Sequence, residues 1–182
     1  VTEAGESHYN PLWNNRNSEN NNITDRLNFN LFGDWKIAKG VSYRLNTSLN
    51  TRKVQENSYL GINHTTGRNN GGRAIVAEST YNDYLVENIL NYTKDFGKHH
   101  FDATGMASLN GIQWKRISNT GFGFPNDDLS YNAIASATSH AVPVYEFSDR
   151  KLLSYLARAR YNYDSRYLIT LAMRVDGSSV FG

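Results

Sequence analysis

Residues 151–177 read KLLSYLARARYNYDSRYLITLAMRVDG, and their parity decides how the chain folds. Tyr155, Ala157, Ala159, Tyr161 and Tyr163 fall on one side, against Ser154, Leu156, Arg158, Arg160 and Asn162. After Asp164-Ser165-Arg166 the pattern resumes, with Tyr167, Ile169, Leu171, Met173 and Val175 against Leu168, Thr170, Ala172, Arg174 and Asp176. Period-two alternation marks a strand with one apolar face. Folding the two strands about Asp164-Ser165-Arg166 sets Tyr163 opposite Tyr167, Tyr161 opposite Ile169, Ala159 opposite Leu171, Ala157 opposite Met173 and Tyr155 opposite Val175. One side is then apolar on both strands, so turn and pattern agree on a single register. The opposite side carries Arg158, Arg160, Arg174 and Asp176, too many charges for an ordinary core.

Two architectures can use such a hairpin. A soluble sandwich buries the apolar face and wets the other. A membrane barrel turns the apolar face to lipid and the charged face to an aqueous lumen. Tyr161, Tyr163 and Tyr167 gather at the turn, Tyr155 stands at the far end, and Ala, Leu, Ile and Met lie between them. Tyr163 to Tyr155 is about 27 Å at ~3.4 Å per residue. Tilted by ~40°, that covers about 20 Å, close to the ~25 Å lipid band that aromatic girdles flank. The hairpin alone is compatible with both.

Composition narrows the classes. The 182 residues suggest a single domain, with 13% aromatic residues, 12 tyrosines and 3 prolines. Mean hydropathy is −0.60, and no run approaches the ~18 apolar residues of a membrane helix. A β-barrel escapes that test, because only alternate residues meet lipid. The absence of cysteine excludes a disulfide framework and thiolate metal sites. A net charge of +2 with both signs dispersed gives no nucleic-acid signature. The chain opens without an apolar leader and ends just past a strand, so it is expected to be an excerpt of a longer one.

Along the chain, strands are expected at 23–33, 41–51, 81–96, 101–116, 152–163 and 167–176. Each sets apolar residues against polar ones, as Leu27, Phe29 and Leu31 against Asn28 and Asn30. A turn at Gly97-Lys98-His99-His100 would pair Phe96 with Phe101 and lay Tyr92 over Gly105. The connections alternate: 1–22, 52–79 and 117–149 are long, while 34–40, 97–100 and 164–166 are short. An antiparallel up-and-down meander with its long loops at one end shows this alternation, and outer-membrane barrels are built so. A Greek-key sandwich does not sort its loops this way. An open sheet would leave unpaired edges in lipid, so further strands are expected from outside the sequence.

The same hairpin carries a family resemblance. Tyr155-Leu156-Ala157-Arg158, Tyr161-Asn162-Tyr163-Asp164, Arg166-Tyr167-Leu168, and Arg174-Val175-Asp176-Gly177-Ser178-Ser179 with Phe181-Gly182 together resemble a run in the barrels of SusC/RagA-type TonB-linked outer-membrane proteins of Bacteroidetes. Residues 88–99 and 34–45 resemble neighbouring strands and turns of that family. Val180 departs from it, standing where the family tends to have a basic residue. The resemblance implies an all-β fold, part of a transmembrane barrel of roughly 22 strands with a plug. It implies import of glycans or peptides across the outer membrane, powered by the TonB–ExbB–ExbD complex, with a SusD-like surface lipoprotein over the extracellular face. No enzyme activity and no cofactor are expected, and a secreted β-sandwich that binds glycans is the competing reading.

The candidate functional residues follow from this frame. Arg158, Arg160, Arg174 and Asp176 would face the lumen, as free charges or as members of ion pairs. Tyr155, Tyr161, Tyr163 and Tyr167 would form the membrane girdle. Trp13, Tyr59, Trp114, Phe122, Phe124 and Tyr145 sit in or beside long connections, where rings can stack on sugars or dock peptides. His99 and His100 are adjacent and point to opposite faces, a poor chelating pair. Asn126, Asp127 and Asp128 lack the spacing of a calcium loop.

Overall fold

The structure, a computed structural model, describes residues 11–180. A short helix, α1 (Pro11–Arg16), precedes β1 (Ser18–Ala38), β2 (Val41–Leu60), β3 (Arg73–Phe96), β4 (His99–Phe122), β5 (Ser139–His140), β6 (Val144–Tyr163) and β7 (Tyr167–Ser178). They form one sheet in the order β1-β2-β3-β4-β6-β7, with β5 added to β4. Each long strand lies beside its neighbour in sequence, which is the meander the loop alternation implies. Residues 1–10 of the long connection expected over 1–22, and Phe181-Gly182 of the family-like run, lie outside the described residues.

In the hairpin of β6 and β7 the register is the one parity dictates. Tyr163 pairs with Tyr167, Tyr161 with Ile169, Ala159 with Leu171, Ala157 with Met173 and Tyr155 with Val175. The reversal is tight: Arg166 N donates to Tyr163 O at 3.0 Å, and Asp164 and Ser165 take φ of 51° and 55°. Both residues thus sit in the left-handed region within a three-residue loop, Asp164–Arg166.

Elsewhere the strands run past the apolar segments. β3 and β4 have 24 residues each, a contour of about 80 Å at ~3.4 Å per residue. The expected connection at 34–40 shrinks to Lys39-Gly40, because Trp35 stacks on Tyr43 at 5.6 Å between ring centres and Arg44 donates to Asp34 at 2.6 Å. Those cross-strand contacts keep Asp34–Ala38 extended. The expected connection at 52–79 is mostly strand, its irregular part being 61–72. The Lys53–Glu78 ion pair at 3.0 Å joins two of these polar strand segments. The stretch 117–149 is likewise strand at both ends, and residues 11–22 hold α1 and the start of β1.

The turn between β3 and β4 is two residues, Gly97-Lys98, not four. Gly97 has φ +62°, where glycine carries no Cβ penalty. Phe96 therefore stacks on His99 at 4.8 Å, not on Phe101, and every partner in this hairpin moves by two residues. A slip of two keeps the faces unchanged. Tyr92 does not cover Gly105, which has open space where a Cβ would stand. Tyr84 instead lies over Gly111, where a Cβ would come within 2.3 Å of the ring.

Two units are distinguished: residues up to Asp25 with 53–80 and 115–147, and residues 26–52, 81–114 and 148 onward. The first holds the only cluster of buried apolar side chains among the described residues, Tyr59, Ala74 and Phe124, with Tyr131, Ala133, Ile134 and Ala137 against it. The second contains the strand segments with one apolar face and the short turns.

Candidate functional site

In the second unit the polar face is a lattice of paired groups. Asn46 Nδ2 donates to Glu87 at 3.2 Å, and Thr104 Oγ1 to Asn91 at 3.0 Å. Asp102 is the most connected acid: it accepts from Thr93 at 3.2 Å, from His100 Nε2 at 2.8 Å and from Arg160 at 3.1 and 2.9 Å. His100 Nδ1 bonds Asp95 on its other side. Arg174 Nε lies 3.0 Å from both Asp176 oxygens, and its Nη2 reaches the buried Ser154 Oγ at 3.4 Å. Arg158 is exposed and forms no ion pair with the described residues. Of the charges singled out in the hairpin, Arg160, Arg174 and Asp176 are thus paired and Arg158 is free. Opposite charges alternate along this wall, so it offers hydrogen bonds without a large net field.

The other face of the same strands is bare. Ile169, Leu171, Met173 and Val175 are 59%, 69%, 66% and 57% exposed and follow one another along it. At its turn end the rings collect. His99 Nδ1 lies 2.5 Å from Tyr161 Oη and its ring is 4.9 Å from that of Tyr163, which is 6.4 Å from Tyr167. Tyr155 stands apart, opposite Val175. His99 and His100 open β4 instead of forming a turn, and they do point to opposite faces: one joins the rings, the other the carboxylates.

The first unit sorts the long-connection aromatics. Tyr59 and Phe124 are 3% and 7% exposed and meet edge to face at 5.2 Å and 89°. They are core, their rings packed on each other, and Tyr59 belongs to β2. This corrects their reading as ligand platforms: burial here needs Phe124 to fold back over Tyr59, a contact between two distant segments. Trp13 keeps half its ring exposed while Nε1 donates to Asn63 O at 2.9 Å. Tyr145 is open, with Lys115 Nζ 5.7 Å from its ring centre. Phe122 is half-buried, as is Trp114 in the second unit.

Asp127 organises the first unit in a way its sequence context conceals. Its Oδ1 accepts from Tyr59 Oη at 2.7 Å and from Ile62 N at 2.9 Å. Burial first, and then the Asp127 hydrogen bond and charge, push the Tyr59 phenol well above its ordinary value. Backbone bonds knit the connections around it: Gly61 N to Asn17 O at 2.8 Å, Phe124 N to Gly71 O at 2.8 Å, and Thr138 N to Gly123 O at 2.9 Å. A cleft of about 300 Å³ borders Asp127, lined also by Arg16, Glu19, Tyr59 and Ser130. The glycine pairs at 71–72 and 121–123 were the available signal for these close backbone approaches. Among the described residues no group of His, Asp and Glu is arranged to hold a metal.

No family model matches the chain. Among characterised proteins it is 32% identical over 163 residues to TonB-dependent receptor P39 of Formosa agariphila, covering 81% of this chain and 14% of that receptor. It is 24% identical over 162 residues to TonB-dependent receptor P3 of the same organism, covering 86% of this chain and 16% of the relative. Among solved structures, the RagAB peptide transporter superposes with a TM-score of 0.84 at 18% identity, over 92% of this chain and 19% of that one. The chain belongs with the TonB-dependent receptors. It spans less than a fifth of the length of the relatives and structures it matches. The RagAB likeness extends to the peptide importer in its 'open-open' state, with a TM-score of 0.79. In this receptor segment, the all-β antiparallel sheet follows the fold of those neighbours.

Proposed function

We propose that residues 1–182 are a stretch of the barrel domain of an outer-membrane importer, which moves glycans or peptides with energy from TonB–ExbB–ExbD. The observation that carries this reading is the asymmetry of the β6–β7 sheet: one face exposes Ile169, Leu171, Met173 and Val175, and the other carries Arg158, Arg160, Arg174 and Asp176. An apolar face suits lipid and a charged face suits a hydrated lumen. A barrel of roughly 22 strands leaves a lumen that a plug can fill. Tyr161, Tyr163 and Tyr167 mark the periplasmic border and Tyr155 lies toward the other. A SusD-like lipoprotein caps the long-connection side. The relatives' names support transport over catalysis, and the RagAB likeness favours peptides as the first substrates to try.

Of the aromatics, Trp13 and Tyr145 retain the open rings that a sugar or a peptide side chain needs, with Trp114 and Phe122 less accessible. Uptake is the test. Cells carrying the full-length receptor are given labelled oligopeptides or oligosaccharides, with and without TonB. Receptor-dependent accumulation that disappears without TonB is expected. Uptake of both substrate classes at equal rates in cells lacking the receptor would contradict the assignment.

A further inference from the structure

On the apolar face, an open groove of about 520 Å³ runs between β4 and the β6–β7 hairpin, lined by Ala103, Gly105, Ala157, Ala159, Leu171 and Met173. Its depth comes from missing side chains: nothing lies within 4 Å of where a Cβ on Gly105 would stand. Toward the turns the groove gives way to the rings of Tyr161, His99 and Tyr163. Beyond the rings are cations in excess. Asp164 is shared by Lys98, at 3.2 Å, and Arg166, at 3.8 Å, so a single carboxylate answers two positive charges. The two turns are fixed together by Asp164 N donating to Lys98 O at 2.8 Å. Lys94, on the same face as Phe96 by parity, is exposed and has no carboxylate partner among the described residues.

We propose that this groove and the turn cations form a site for one anionic diacyl phospholipid of the periplasmic leaflet. An acyl chain lies in the groove against Ala157, Ala159 and Leu171. The glycerol and ester region crosses the rings, where amphipathic aromatics are favoured. The phosphate meets Lys98 and Arg166, with Lys94 beside them. Charge complementarity selects the occupant: the groove alone would accept any chain, but the excess of positive charge at its turn end selects an anionic head group. The site rests on the membrane reading of this face.

Full-length receptor is placed in nanodiscs of phosphatidylethanolamine and phosphatidylglycerol in equal amounts, and the lipids it retains after release are counted by native mass spectrometry. The wild type is expected to keep phosphatidylglycerol over phosphatidylethanolamine by about tenfold. Lys98→Gln with Arg166→Gln should abolish the preference, while the charge-conserving Lys98→Arg with Arg166→Lys should keep it. Gly105→Leu fills the groove and should lower retention of both lipids. Equal retention by the wild type, a preference that survives the double Gln variant, or retention unchanged by Gly105→Leu overturns the site. A spin label at Ala157 in the same discs separates the two levels. Lipid exposure there without a phosphatidylglycerol preference removes the site alone, and water exposure removes the membrane reading with it.

Discussion

The β6–β7 hairpin and the Tyr59–Phe124 cluster treat aromatic and apolar side chains in opposite ways. In the hairpin, Leu171 and Tyr167 stand 69% and 67% exposed. In the cluster, Tyr59 and Phe124 are almost wholly covered by the chain's own connections. The first arrangement makes sense when the surroundings are apolar, and the second when they are water. One chain therefore holds both an open apolar strand face and a closed apolar core, and if that face meets lipid, as proposed, substitutions should have opposite rules in the two places.

The largest expected effect is in the core. Phe124→Ala removes the ring packed on Tyr59 and should cost about 3–5 kcal/mol. Limited proteolysis of the full-length receptor would show new cutting between 123 and 143 while the barrel stays intact. Unchanged resistance would mean that the connections are held by something other than this core. Next comes Leu171→Arg, which should destabilise the reconstituted receptor by about 2–4 kcal/mol, whereas Ala172→Arg on the opposite face should cost little. Denaturant titration in lipid vesicles reads both, and equal costs at the two positions would erase the distinction between faces.

Tyr59→Phe leaves the ring but takes a donor from Asp127, a loss of about 1–3 kcal/mol. Its sign with pH is fixed. The folded phenol holds its proton more tightly than the unfolded one, so its stabilisation is complete below the ordinary tyrosine pKa of about 10 and falls as pH rises past it. The protease resistance of the wild-type connections should therefore drop in alkali more steeply than that of Tyr59→Phe. The smallest effect is at the hairpin turn. Ser165 adopts a φ of 55°, so Ser165→Gly should stabilise the folded hairpin by about 0.5–1 kcal/mol, read as a small rise in the denaturant midpoint.

What could be read in advance divides along the same line. Parity along 155–175 was enough for faces and register, because each residue's side is fixed locally by the pleat. The ends of the strands were not legible. Residues 52–60 read Arg-Lys-Val-Gln-Glu-Asn-Ser-Tyr-Leu and resemble a loop, yet they form strand. The period-two signal depends on a contrast between faces, and it fades once both faces meet water. The Gly97-Lys98 turn differs from a four-residue one by a shift of two, which parity cannot detect. Tyr59 and Phe124 looked like ligand platforms because their burial depends on contacts 65 residues apart in the chain, and Asp127 gave no motif because it acts through Tyr59 and the Ile62 amide.

The most direct measurement places spin labels at Leu171 and Ala172, one at a time, in the full-length receptor in vesicles. Collision with dissolved oxygen reports lipid, and collision with a water-soluble nickel chelate reports water. Oxygen access at Leu171 with chelate access at Ala172 is the expected result, and the same environment at both neighbours would contradict a sheet that divides lipid from lumen.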